Sequence, residues 1–155
     1  MSDLQAQVER LSAIEDIKQL KARYAAYADD QYDPDGISGL FVEDGVWDGG
    51  PEFGRHEGPA AIHTFFSEVS EKLVFSAHLS LNPIIQVNGD TAEGQWRLLC
   101  PCNLKDDSGK ANDTWILAAY DETYAKRDGR WLFQSMKVNV NFIASHAEGW
   151  AAETA

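Results

Sequence analysis

The order of patterns along the chain predicts an α+β fold. Apolar residues recur every three or four positions over the first half and every second position over the second half, where turn signals separate the alternating stretches. Helices followed by a run of antiparallel strands put the helices on one face of a curved sheet. At 155 residues with 44% hydrophobic side chains, the chain has the size and apolar area of one core, so 1–155 reads as a single domain.

The first helix is marked by Leu4, Val8, Leu11, Ile14, Ile17, Leu20, Tyr24 and Tyr27, with charges between them and Ser2 or Asp3 as cap. It ends at Asp29-Asp30. Pro34-Asp35-Gly36 turns the chain into a short helical piece through Leu40 and Phe41, and Glu43-Asp44-Gly45 turns it again into a short strand around Val46-Trp47. Glycines at 45, 49, 50, 54 and 58 predict a loop up to Gly58. Pro59 suits a first helical position, and Ile62, Phe65, Phe66 and Val69 carry a second long helix to about Lys72. Phe75, Ala77, Leu79 and Leu81 then alternate with Ser76, His78, Ser80 and Asn82 as a strand does. Further strands fall at about 91–104, 113–126 and 130–143, with tight turns at Asn88-Gly89-Asp90 and Asp128-Gly129 and a longer polar loop from Asp106 to Asp113.

Charge narrows the partners. Thirteen basic against twenty-five acidic residues give −12, a field that repels phosphate backbones and anionic lipid surfaces, so neither nucleic acid nor membrane is expected. The longest apolar run, Trp115 to Tyr120, is far short of the ~20 residues of a membrane span. No basic region followed by an apolar block opens the chain, and Cys100 and Cys102 would share a strand face without an ordinary disulfide; the expected compartment is the cytoplasm.

Motifs narrow the chemistry. Neither phosphate-cradling glycine pattern occurs, nor G-x-S-x-G, nor H-E-x-x-H, and Cys100-Pro101-Cys102 lacks a second ligand pair. No cofactor and no metal are expected. What remains is an inventory of His, Asp, Tyr and Trp.

Four segments carry a resemblance: Ile14-Glu15-Asp16-Ile17 with Arg23-Tyr24 and Asp29; Leu40-Phe41-Val42-Glu43-Asp44-Gly45-Val46-Trp47; Gly58-Pro59-Ala60-Ala61-Ile62; and His78 ahead of Val87-Asn88-Gly89-Asp90. Their order resembles the SnoaL-like branch of the nuclear transport factor 2-like superfamily, over nearly the whole chain. The resemblance implies a cone of bent, mixed sheet closed by the N-terminal helices around an apolar pocket. It also implies a homo-oligomer, with a trimer ahead of a dimer. Within that branch the pattern is closest to the hexachlorocyclohexane dehydrochlorinase, bile acid 7α-dehydratase and scytalone dehydratase group, which implies an Asp–His pair; Asp29 and His78 match it.

On its residues alone, His78 shares a strand face with Ser76, Ser80 and Asn82, and that face could simply be wet. The resemblance makes it a general base: an imidazole titrates near ~6.5, and a carboxylate that accepts its Nδ1 proton leaves Nε2 free. Tyr24 otherwise reads as core, and by the same resemblance donates to a substrate oxygen. Trp47, Trp96, Phe65 and Lys137 are the substrate-binding candidates; Lys137 shares a strand face with Trp131 and Phe133, so it faces a pocket or snorkels outward. The function implied is a cofactor-independent lyase or isomerase acting on a small apolar cyclic molecule. The alternative is a binding or scaffold module of the same fold without turnover.

Overall fold

The computed structural model describes residues 2–150. Helix α1 spans Asp3–Asp29, with the Ser2 side chain accepting from the Gln5 amide at 3.2 Å. Its buried stripe is Ala13, Ile17, Leu20, Lys21, Tyr24 and Ala28. Leu4, Val8 and Leu11, expected on the core face, are 70%, 52% and 60% exposed, and the buried stripe begins only at Ala13.

Helix α2 is only Pro34–Ser38, capped by the Asp33 carboxylate on the Gly36 amide. The helical piece expected to run through Phe41 stops short: strand β1 occupies Phe41–Asp48, since the Leu40 carbonyl already accepts from the Phe133 amide and draws the chain onto the sheet. The glycine-rich stretch holds a four-residue helix α3, Gly50–Phe53, and a short strand β2, Arg55–Glu57. Helix α4 is Gly58–Val69 with Pro59 in its first turn. The single strand expected across Phe75–Asn82 is two: β3, Leu73–Ser76, and β4, Leu79–Asn88, interrupted at Ala77-His78. Strands β5 (Thr91–Lys105), β6 (Ala111–Arg127) and β7 (Arg130–Ser145) agree closely with expectation.

One seven-stranded sheet results, in the order β2-β1-β7-β6-β5-β3, with β4 on the remainder of the β5 edge. The β1–β7 pair is parallel and the others are antiparallel, so the sheet is mixed. Register shifts in the β6–β7 pair, between Leu117/Ala118 and between Thr123/Tyr124, bend the long strands and curl the sheet into a half-barrel. The inner face closes on α1 and α4, with Ile17, Leu20, Ile37, Ile62, Phe66, Phe133 and Met136 buried in the core. Truncating Phe66 there would cost about 3–5 kcal/mol through lost transfer energy and the cavity left behind.

Candidate functional site

A cavity lies where α1 and α4 cross the inner face of the sheet. Its wall combines Phe65, Phe66 and Val69 of α4, Trp47 of β1, Leu98 and Cys100 of β5, Ile116 and Tyr120 of β6 and Val138 of β7. Its free volume is about 50 Å³ for the centres of water-sized spheres. That is room for a few waters, less than a polycycle needs.

His78 stands at its edge, in the gap between β3 and β4. The ring Nδ1 lies 2.7 Å from Asp29 Oδ1, and the backbone amide of His78 donates to the same carboxylate at 2.9 and 3.1 Å. An ionised carboxylate only accepts, so Nδ1 carries the hydrogen in this contact, and in the neutral tautomer Nε2 is the accepting nitrogen. The imidazole side chain is 9% exposed against 35% for that of Asp29, so the ring faces inward and its partner reaches solvent. Tyr32 packs edge-on against the imidazole at 5.7 Å between ring centroids. Tyr32 and Gln31 both have left-handed backbones, φ 57° and 53°, uncommon without glycine. This turn carries the chain sharply off the end of α1 and directs the Tyr32 ring inward.

Tyr24, about one and a half turns before the end of α1, accepts from Trp47 Nε1 at 3.0 Å, which leaves its own proton available. Burial pushes its phenol well above the ordinary value, so it remains a donor. Trp47 stacks on Phe65 at 4.8 Å, and Phe65 on His56 at 4.2 Å, giving the cavity one flat aromatic wall. Cys100 also lines the cavity; the neighbouring Cys102 thiol, then burial, push its thiol up and keep it neutral. Both cysteines are buried and free.

A second buried cluster lies behind this wall. Lys21 of α1 pairs with Glu122 of β6, Tyr124 donates to the same carboxylate, and Trp96 Nε1 donates to the Tyr124 hydroxyl at 2.9 Å. Two residues expected in the substrate wall lie outside it. Trp96 is part of this cluster and does not line the cavity. Lys137 is exposed on the outer face of the sheet, because Thr123 pairs with Ser135 and Tyr124 with Phe133. Gln134 is thus the extra residue of a bulge, which reverses the alternation between Phe133 and Lys137 and turns Met136 and Val138 inward in its place. Among the described residues no group of three His, Cys, Asp or Glu side chains could hold a metal ion, and no helix is long and apolar enough to cross a membrane.

The family model of the SnoaL-like domain matches residues 9–137. The chain belongs to the SnoaL-like family. No curated protein matches it. Among solved structures this SnoaL-like chain is similar to a hexachlorocyclohexane dehydrochlorinase, LinA-type3, from Novosphingobium barchaimii, with 22% identity, 94% of this chain and 95% of that one covered, and a TM-score of 0.78. A candidate scytalone dehydratase from Novosphingobium aromaticivorans has 21% identity, coverage of 88% and 89%, and a TM-score of 0.77. A nuclear transport factor 2-like protein with a cystatin-like fold from the same species has 25% identity, coverage of 98% and 94%, and a TM-score of 0.68. The SnoaL-like cone is therefore the fold of this chain, as its segment order implied. Of the site residues expected from the sequence, His78, Asp29, Tyr24, Trp47 and Phe65 come together. Tyr32, Cys100 and Tyr120 join them without having been singled out.

Proposed function

We propose that the chain is a cofactor-independent lyase or isomerase that removes a proton from carbon in a small apolar cyclic molecule. The observation that carries this reading is the 2.7 Å contact between His78 Nδ1 and Asp29 at the edge of a largely apolar cavity, which leaves Nε2 as the ring nitrogen not engaged by the carboxylate. Nε2 takes the proton, and Asp29 offsets the charge of the imidazolium that forms. The pair of electrons left on carbon either expels a leaving group from the neighbouring carbon or is reprotonated elsewhere. Tyr24 donates to the oxygen that departs or becomes an enolate, and donors act most strongly in a site from which water is excluded. The dehydrochlorinase and dehydratase names among its structural relatives agree with elimination or proton transfer.

The experiment starts with thermal-shift screening of sterols, polyketide-like aromatics, terpenoids and chlorinated rings, since a ligand of the folded state raises its melting temperature. Turnover of the best ligand is then compared in His78→Ala and Asp29→Asn. Losses of about 10²- to 10⁴-fold in kcat are expected for removing a positioned base. Activity retained by both variants overturns the dyad, and binding without turnover in the unmodified protein supports a binding module instead.

A further inference from the structure

Two consecutive residues beyond the end of α1, Gln31 and Tyr32, have left-handed backbones, and neither is glycine, asparagine or aspartate. Glycine is the usual occupant where a helix ends in this way, because a Cβ is strained there. The turn is nevertheless firmly made. The Tyr32 amide donates to the Ala28 carbonyl at 3.2 Å and the Asp33 amide to the Tyr27 carbonyl at 3.0 Å, and the Asp33 side chain then caps α2. Backbone strain of this kind gathers where function fixes a side chain. Gln31 is exposed, whereas Tyr32 is 4% exposed and lines the cavity. The side chain that the strain serves is therefore Tyr32.

Its ring meets His78. The two rings stand nearly perpendicular, at 86°, with centroids 5.7 Å apart. The Tyr32 ring also stacks on Phe66 at 5.9 Å and 15°, and Phe66 meets Trp47 edge-on at 5.3 Å, so the contact is backed by the aromatic core. Asp29 holds the imidazole at Nδ1, two bonds away from Nε2. A hydrogen bond tolerates misalignment and weakens steeply only when its angle at hydrogen falls below ~120°. A group that transfers a proton has to be held within about 10–20°. A second contact has to narrow that range, and among the described residues Tyr32 is the aromatic ring paired with His78. Burial raises its phenol far above the ordinary value, with the neighbouring Ser76 opposing the shift, so the ring stays uncharged wherever an imidazole titrates.

We infer that Tyr32 is a positioning residue for proton abstraction, its ring bracing the imidazole of His78 so that Nε2 is held in one direction. This deepens the reading of His78 as a base and rests on it. The role belongs to the ring and not to the hydroxyl. The strained turn at Gln31-Tyr32 is what brings that ring back against a residue whose other partner, Asp29, ends the same helix.

Three variants separate the ring from the turn that carries it. Tyr32→Phe keeps the ring and loses only the hydroxyl. Gln31→Gly/Tyr32→Leu loses the ring, while glycine at 31 relieves one strained residue and offsets part of the lost packing. Gln31→Gly alone is the control. Nitrogen-15 NMR of histidine-labelled protein follows the imidazole, with the His78 signals identified as those missing from His78→Ala. Above the imidazole titration near ~6.5, the unmodified protein gives a sharp Nδ1–H signal that exchanges slowly with water. Gln31→Gly and Tyr32→Phe keep that signal, and the variant without the ring broadens it and speeds its exchange. Gln31→Gly/Tyr32→Met carries the same expectation should the leucine variant fail to fold. On the best ligand of the thermal-shift screen, loss of the ring lowers kcat on the order of 10²-fold with little change in KM, the effect of a misplacement of about 1 Å, and Tyr32→Phe keeps its kcat. A sharp, slowly exchanging His78 signal without the ring overturns the inference, and so does kcat retained without it. Tyr32→Phe behaving like the variants that lack a ring overturns it as well. Absence of turnover in the unmodified protein overturns the base reading instead, while the NMR comparison still decides whether Tyr32 holds the imidazole.

Discussion

Replacing Lys21 by Met tests the buried ion pair directly. Lys21 and Glu122 side chains are 1% and 0% exposed, and neither reaches another opposite charge. The substitution nearly conserves volume, so little of its effect comes from packing. It leaves Glu122 with the Tyr124 hydroxyl as its remaining partner. Breaking a buried pair on one side costs about 3–5 kcal/mol, a large part of the ~5–15 kcal/mol that keeps a domain folded. For a chain of this size that is a fall in Tm of roughly 6–20 °C. Lys21→Met/Glu122→Gln removes both charges and should recover most of the loss. Glu122→Gln alone carries its own pH signature. Burial already pulls the Lys21 ammonium below its ordinary value and Glu122 opposes this, so the native state releases the proton before the unfolded state does. Stability then rises with pH up to the unfolded value near 10.5, and more steeply once Glu122 no longer opposes the shift. Urea unfolding of the three variants at several pH values is the assay. A Lys21→Met cost below about 1 kcal/mol, or a double variant no more stable than that single one, would refute the reasoning.

Three other outcomes are expected. Tyr24, Tyr32, Tyr120 and Tyr124 all have phenol pKa values raised by burial, so their contribution to stability is intact below the ordinary value of 10 and is lost as pH rises through the raised native values; urea midpoints should fall from about pH 10 upward, with tyrosinate absorbance appearing as the chain unfolds. Gly94→Ala would put a Cβ 2.6 Å from the Tyr124 hydroxyl and 2.8 Å from Cε2 of its ring, forcing apart the phenol that serves Glu122; a loss of about 1–3 kcal/mol in denaturant unfolding is expected, and none at all would mean the ring yields freely. The expected homo-oligomer is checked by sedimentation at micromolar concentration, where a dimer or trimer agrees with the expectation and a monomer overturns it.

Much of this fold is legible in the sequence because its signals are local. The long strands β5 to β7 are bounded by Asn-Gly-Asp and Asp-Gly turns that fix where each must end, and Pro59 marks the first turn of α4. The His78–Asp29 contact follows from segment order through the family resemblance, since 49 residues separate the partners and no spacing rule joins them. Where reading failed, a long-range contact had overridden a local pattern. The bulge at Gln134 is invisible to simple alternation, so Lys137 was expected on the face of Phe133. The first turns of α1 have the apolar period of a buried face, yet Leu4, Val8 and Leu11 stay exposed. Lys21 resembles any solvated helix lysine until its neighbours are considered: four residues after Ile17 and three before Tyr24, it shares their face. Glu122 likewise alternates with Tyr120 and Tyr124. A cation on an aromatic helix face and an anion on an aromatic strand face would have been signal enough to pair them.

The pause between β3 and β4 has a consequence for how His78 is held. Along an edge strand successive amides point alternately toward the partner strand and away from it, so the residue next to one bonded to β5 offers its own amide at the open edge. At the pause, the neighbouring Ala77 amide still reaches the Pro101 carbonyl at 3.1 Å, while the His78 amide turns away to the carboxylate at the end of α1. One side chain thereby clasps both the backbone and the imidazole of the same residue, two points of attachment that fix where the ring stands and which way it faces. Loosening the last turn of α1 would release both together, so the proposed proton abstraction should be sensitive to fraying at a helix end long before the sheet gives way.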